Sequence, residues 1–163
     1  MSRRGRFAPL SVVIASLLFS VALSASAALP DAVVAAFRGK VVLTRGPLPK
    51  GANDKDTIAK IKAAQVAELT GTPGDEGQTW TFHYAVFPKK TGNVALKLQF
   101  VSGELDGRLA AETSLSIFDV DSPSLQGTLT IGESRGLTRG KAYQLRVVND
   151  KGEVVAKTSA IFK

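Results

Sequence analysis

Cysteine is absent from this 163-residue sequence, and histidine, methionine and tryptophan occur once each. Without cysteine there is no disulfide framework, no thiolate chemistry and no sulfur-anchored metal centre. The single histidine, His83, excludes a histidine-rich metal cage, and the sole methionine is Met1, so the remainder of the chain has no soft ligand. Neither of the glycine patterns that cradle phosphates, G-x-x-x-x-G-K-[ST] and G-x-G-x-x-G, occurs. No apolar run reaches the roughly 18–20 residues that span a bilayer as a helix, and there is no internal repeat or low-complexity tract.

What is present begins with the pattern of a secretory signal peptide over residues 1–27. Arg3, Arg4 and Arg6 form a charged start, Leu10–Leu23 an apolar stretch of 14 residues broken by serines, and Ala25-Ser26-Ala27 a small-residue cleavage site. Ser2-Arg3-Arg4 followed by Phe7 is similar to a twin-arginine signal, but Arg6 stands where that pattern wants an apolar residue, which favours ordinary export. An uncleaved anchor is the rival reading, and the shortness of the apolar stretch argues against it. Cleavage after Ala27 leaves residues 28–163, enough for one domain with a single core. This part holds all 14 acidic residues but 18 of the 21 basic ones, so its net charge is +4 rather than +7. Such a mild excess gives no argument for nucleic acid. The expected compartment is a bacterial periplasm or the extracellular medium, with no stable membrane insertion after cleavage.

Along the mature part, Val33–Phe37 is a short apolar stretch, and Lys40–Thr44 reads as a first strand ended by Pro47 and Pro49. The period then changes. Over residues 53–69, Ile58, Ile61 and Leu69 share a broad face, Asn53, Asp54 and Asp56 offer N-terminal capping, and Gly71 stands just beyond. This predicts a helix, followed by a loop over residues 70–77. From Gln78 the period is two: Trp80, Phe82, Tyr84 and Val86 alternate with Thr81, His83 and Ala85, and Val94, Leu96, Leu98 and Phe100 with Ala95, Lys97 and Gln99. Strands over 108–118 and 128–131 follow. The last two, over 141–149 and 153–162, are joined through Asp150-Lys151-Gly152 as a hairpin.

Between these strands stands Leu137-Thr138-Arg139-Gly140-Lys141-Ala142-Tyr143. A turn on Gly140 delivers Tyr143 to a strand that alternates Tyr143, Leu145 and Val147 with Gln144, Arg146 and Val148. This resembles the tyrosine corner of immunoglobulin-like and fibronectin-type-III-like β-sandwiches, in which a tyrosine hydroxyl bonds back to the chain just upstream. Trp80 early in the second strand fits the same resemblance. It implies an all-β fold: a seven-stranded antiparallel immunoglobulin-like sandwich with one helix inserted between the first and second strands. The chain also resembles small uncharacterised exported bacterial proteins of this architecture, a likeness that implies fold and compartment and no activity. It departs from the family in spending residues 46–77 where such domains use a short turn.

Candidate chemistry is sparse. His83 lies on the strand face opposite Trp80 and Phe82, pointing to solvent or a rim, and a Ser-His-Asp arrangement would need a nucleophile context that the sequence lacks. Asp119 and Asp121 bracket a loop as calcium ligands do, but the further oxygen ligands at fixed spacing are missing, so two solvated turn acids explain them as well. Glu104 and Asp106 read the same way at a hairpin tip. Lys50, Lys55, Lys60 and Lys62, with Lys89, Lys90 and Lys97, form either a basic surface for anionic envelope polymer or lipid, or simply a solvated face. The helical insert is either a cover for apolar surface or a ligand site. The reading is an exported binding or structural module, not an enzyme, with no cofactor, no metal and no catalytic residue assigned. Its partner is an envelope protein or polymer. The alternatives are a small envelope hydrolase using His83 and a subunit of a surface assembly joined through sheet edges.

Overall fold

The structure, a computed structural model, describes residues 29–89, 95–103, 107–115 and 123–163. The signal-peptide region, Lys90, Glu104, Asp106, Asp119 and Asp121 lie outside the described residues. The described chain is mostly β. It holds helices α1 (Asp31–Phe37) and α2 (Asp54–Ala64) and strands β1 (Lys40–Thr44), β2 (Glu68–Leu69), β3 (Thr72–Gly74), β4 (Gly77–Phe87), β5 (Lys97–Ser102), β6 (Leu109–Ser114), β7 (Leu125–Gly132), β8 (Lys141–Val148) and β9 (Val154–Phe162).

One curled sheet holds all nine strands in two groups. In the first, β4 pairs antiparallel with β7 along Thr79–Val86 and, on its other edge, with β1 and the short β3. In the second, β8 lies between β5 and β9, and β6 lies outside β5. The groups meet where β1 touches β9 through a parallel pair, Lys40 with Lys157. Beyond that point the two strands part, and β2 takes the vacated edge of β9, pairing Glu68 with Ile161 and Leu69 with Phe162. The sheet is therefore mixed, not purely antiparallel. The cause is the insert: after α2 the Val66 N–H bonds to the Leu43 carbonyl and the Ile161 N–H to the Ala67 carbonyl, so the returning chain fills the seam.

Alternation along the strands makes the main core. Val41 and Leu43 of β1, Trp80, Phe82 and Val86 of β4, Leu98 and Phe100 of β5, Leu145 and Val147 of β8 and Phe162 of β9 all point into it. Phe162, 0% exposed, is its hub. The rings of Trp80, Phe82, Phe100 and Tyr143 meet it edge-on, with centroids 5.2, 6.3, 5.9 and 5.5 Å away. Edge-to-face contact sets the positive rim of one ring against the negative face of another, which fixes orientation as well as burial.

A second apolar cluster lies on the opposite face of β1 and β4. Val42, Ala85 and Phe87 are buried there against Val33, Val34 and Phe37 of α1 and Ile61 of α2. β1 and the C-terminal end of β4 are thus covered on both faces, and the helices form a partial third layer. Helix α1, absent from the sequence-based expectation, has only seven residues. So short a helix is marginal alone and is held by burying one face, here with Phe37 and Phe87 ring centroids 5.3 Å apart. Gly39 adopts φ +76°, a left-handed conformation that lets the chain reverse directly into β1.

Helix α2 begins as its sequence implies: Asn53 Oδ1 accepts the Asp56 N–H at 2.9 Å, and Asp56 Oδ2 accepts the Ala52 N–H at 2.8 Å. It ends at Ala64, not at residue 69, because pairing with β1 captures Val66. Leu69 accordingly belongs to β2 and the main core instead of the helix face. The expected loop over residues 70–77 contains β3, and the expected strand over 128–131 extends over Leu125–Gly132.

Candidate functional site

The corner at the start of β8 has the expected bond. Tyr143 is 3% exposed, and its hydroxyl accepts the Thr138 N–H at 2.8 Å. Gly140 makes the turn with φ +80°. Glu133, in the preceding 3-10 turn (Glu133–Arg135), ties this corner to β4. Its carboxylate accepts the Gln78 N–H at 2.9 Å and the Arg139 N–H at 3.2 Å. These two backbone donors, Gln78 first, hold its carboxyl below the usual glutamate range. The corner is structural in character.

His83 sits on the outer face of β4, half-buried, between Thr44 of β1 and Thr128 of β7 in the strand register. Its Nδ1 lies 3.0 Å from Thr128 Oγ1, and the next rung pairs Thr81 Oγ1 with Thr130 Oγ1 at 2.9 Å. The imidazole is thus held by a hydroxyl of a neighbouring strand. Among the described residues no group of three or more histidine or carboxylate side chains is placed to hold a metal ion.

Among the described basic residues, Lys60 and Lys97 are each held by a carboxylate. Lys60 of α2 pairs with Asp56 at 3.0 Å, and Lys97 of β5 pairs with Glu112 of β6 at 2.9 Å. Glu112 also accepts from Gln99 Nε2 at 2.9 Å, and the Gln99 and Lys97 bonds lower its carboxyl below the usual range. Lys89, just past β4, belongs to a different arrangement. It lines a cavity of about 220 Å³ together with Gly39, Gln144 and Arg146 of β8, and Val154 and Lys157 of β9.

Strand register builds this cavity. Arg146 and Lys157 are directly opposite partners across β8 and β9, and Lys157 is in turn in register with Lys40 of β1. Gln144 Oε1 accepts from Arg146 Nε and steadies the guanidinium along its own strand. The Lys89 stem passes over Gly39, where a built Cβ would meet its Cγ at 3.0 Å, so the absence of a side chain there lets the lysine lie across the corner. The Lys89 N–H donates to the Val155 carbonyl at 3.0 Å, which locks this segment against β9.

Sequence reasoning placed Lys89 in a basic group but did not find Arg146 or Lys157. The hairpin turn alone would set Arg146 opposite Ala156. A β-bulge at Val147/Val148 shifts the register by one residue, turns both Val155 and Ala156 inward and brings Lys157 opposite Arg146. A bulge of this kind has no composition signal, so only the three-dimensional pairing exposes the cluster. No helix among the described residues is long and apolar enough to cross a membrane. In comparison with known proteins, no family model matches the chain and no curated protein is significantly similar to it.

Proposed function

We propose that this chain is an exported, non-catalytic binding or structural module of the bacterial envelope, built on an immunoglobulin-like β-sandwich. Support for the fold comes from the grouping of strands. Three of them (β7, β4, β1) face four (β6, β5, β8, β9) across the Phe162 core, and a tyrosine corner opens β8. In this reading β2, β3 and the helices are additions that seal one seam and one outer face. Support for export comes from the residue pattern of Met1–Ala27.

The observation that carries a binding role is the cavity at which Lys89, Arg146 and Lys157 converge from three separate segments, with no carboxylate among its lining residues. The test is capture from fractionated bacterial envelope, with the lipid, polysaccharide and protein fractions offered separately to the immobilised mature protein. Saturable capture from one fraction is expected. Failure with all three fractions, together with ester hydrolysis abolished by His83→Ala, would replace the module by the hydrolase reading.

A second reading, a subunit joined through sheet edges, is favoured by β7. Its eight residues Leu125–Gly132 carry no charge and no proline, and among the described strands it pairs only with β4. An uncharged edge without proline is a template for a further strand. Sedimentation across a hundredfold concentration range tests it; a monomer throughout rejects self-assembly by this edge.

A further inference from the structure

We propose that the cavity bounded by Lys89, Arg146 and Lys157 is an oxyanion site that takes a phosphate dianion, either as free inorganic phosphate or as the phosphomonoester headgroup of a lipid. The inference rests on the binding-module reading and names its ligand class.

The argument begins with a cost. Like charges placed directly opposite each other across an antiparallel pair are destabilising, since their Cβ atoms are only about 4.5–5.5 Å apart. The fold nevertheless sets Arg146 opposite Lys157 and continues the row to Lys40. The carboxylate of the same row, Glu112, is two strands from Arg146, because Gln99 lies between them. At roughly 4.8 Å per strand that is about 10 Å, about one Debye length at 0.1 M salt. It is moreover already held by Lys97 and Gln99. Among the described residues no ion pair involves Lys89, Arg146 or Lys157. A dianion placed between them removes the repulsion, so the arrangement is paid for by a ligand and not by the folded chain itself.

The chemistry of the three cations selects among anions. Arginine offers a planar fork suited to phosphate or carboxylate, and the two lysines act as point charges from the sides. A carboxylate carries one charge and two oxygens, which leaves the third cation unmatched. A phosphomonoester carries about −1.5 to −2 near neutral pH and three acceptor oxygens, one for each cation. The cavity holds the volume of several waters, given about 30 Å³ for each, so it admits a phosphate together with part of what bears it. The β-bulge that creates the row also keeps it on the outer sheet face, where a headgroup can reach it.

The experiment is calorimetric titration of the purified protein with inorganic phosphate, and flotation with phosphatidylcholine vesicles with and without phosphatidic acid. The comparison proteins are Arg146→Gln, Lys157→Gln and the helix control Lys62→Gln. Saturable binding of either probe, weakened at least tenfold in both cavity variants and unchanged in Lys62→Gln, is the expected result. Binding to free phosphate identifies a soluble ligand, whereas binding confined to phosphatidic acid vesicles identifies a headgroup. Without ligand, the melting temperature of Lys157→Gln should equal or exceed the parent's, which also shows that the variant folds. Binding equal in all four proteins, or none with either probe, would overturn the proposal. If an envelope fraction were still captured by both cavity variants, the oxyanion site would fall and the module reading would stand.

Discussion

Truncation of Ile61 to alanine measures how far the helices act as a layer of the fold. Ile61 is 0% exposed, enclosed by Val33, Val34 and Phe37 of α1 and by Val42, Ala85 and Phe87 of the strands beneath. Shortening a buried isoleucine to alanine removes its transfer energy and leaves a cavity whose walls relax only in part, together about 2–5 kcal/mol. Because α1 is short and packs into this cluster, some collapse is available, and a value of about 3 kcal/mol is expected. With a urea slope of roughly 2 kcal/mol/M, the midpoint falls by about 1.5 M while the slope stays unchanged. Ile58, one turn earlier and only half-buried, should lose about 1 kcal/mol on the same change, near the centre of ordinary substitutions. Lys55 and Lys62 are exposed and control for effects of helix sequence alone. The contact with α1 is tested by adding Val33→Ala: neighbours that share a cavity should couple by 0.5 kcal/mol or more. An Ile61→Ala midpoint within 0.2 M of the parent's would refute the layer and make the helices a surface held outside the core.

Three further outcomes can be checked. Tyr143→Phe removes the acceptor for the Thr138 N–H; since Thr138 is exposed and water can replace part of the bond, the loss should be about 1 kcal/mol, or roughly 3–5 °C in Tm by calorimetry. An unchanged Tm would mean that the hydroxyl contributes nothing to the corner. Glu133 has a folded-state pKa below its ordinary value, so its contribution is complete above the unfolded pKa and is lost as pH falls through the folded one. Glu133→Gln should therefore lower Tm at pH 7 and approach the parent as the pH falls through the folded-state pKa, and a difference constant with pH would count against the carboxylate's role. N-terminal sequencing of exported protein should begin at Ala28; retention of Met1 or Ser2 would reject cleavage after Ala27.

The elements that sequence predicted well are those whose environment is uniform along their length. β4 is legible because Trp80, Phe82 and Val86 meet one continuous core, and the corner because Gly140 and Tyr143 are dictated locally. Ala85 and Phe87 were harder to interpret. They sit out of phase with a half-buried strand's polar face because helices cover that end of β4, which alternation alone does not reveal. Helix α1 was hidden for the converse reason: Val33, Val34 and Phe37 satisfy strand and helix patterns alike, and only the surface beneath them decides. The candidate site was the least legible part. Its cations are 11 residues apart along the hairpin and still further from Lys89, and a one-residue bulge determines which of them meet.

The seam between β1 and β9 has a kinetic consequence. The contacts that close the molecule join Lys40 to Lys157, Glu68 to Ile161 and Trp80 to Phe162, all far apart in sequence. Non-local pairing of this kind slows folding, because much chain entropy is lost before the contacts that offset it form. For a chain exported as we propose, that delay is useful. A polypeptide threaded amino end first through a channel presents β1, the helices and β4 long before β9, and none of them can complete the aromatic hub without Phe162. The early segments therefore stay open while the rest of the chain passes, and the core sets only when β9 slides between β1 and β8. A circular permutant that places β9 next to β1 in sequence should accordingly fold faster in stopped-flow refolding, with the same native contacts.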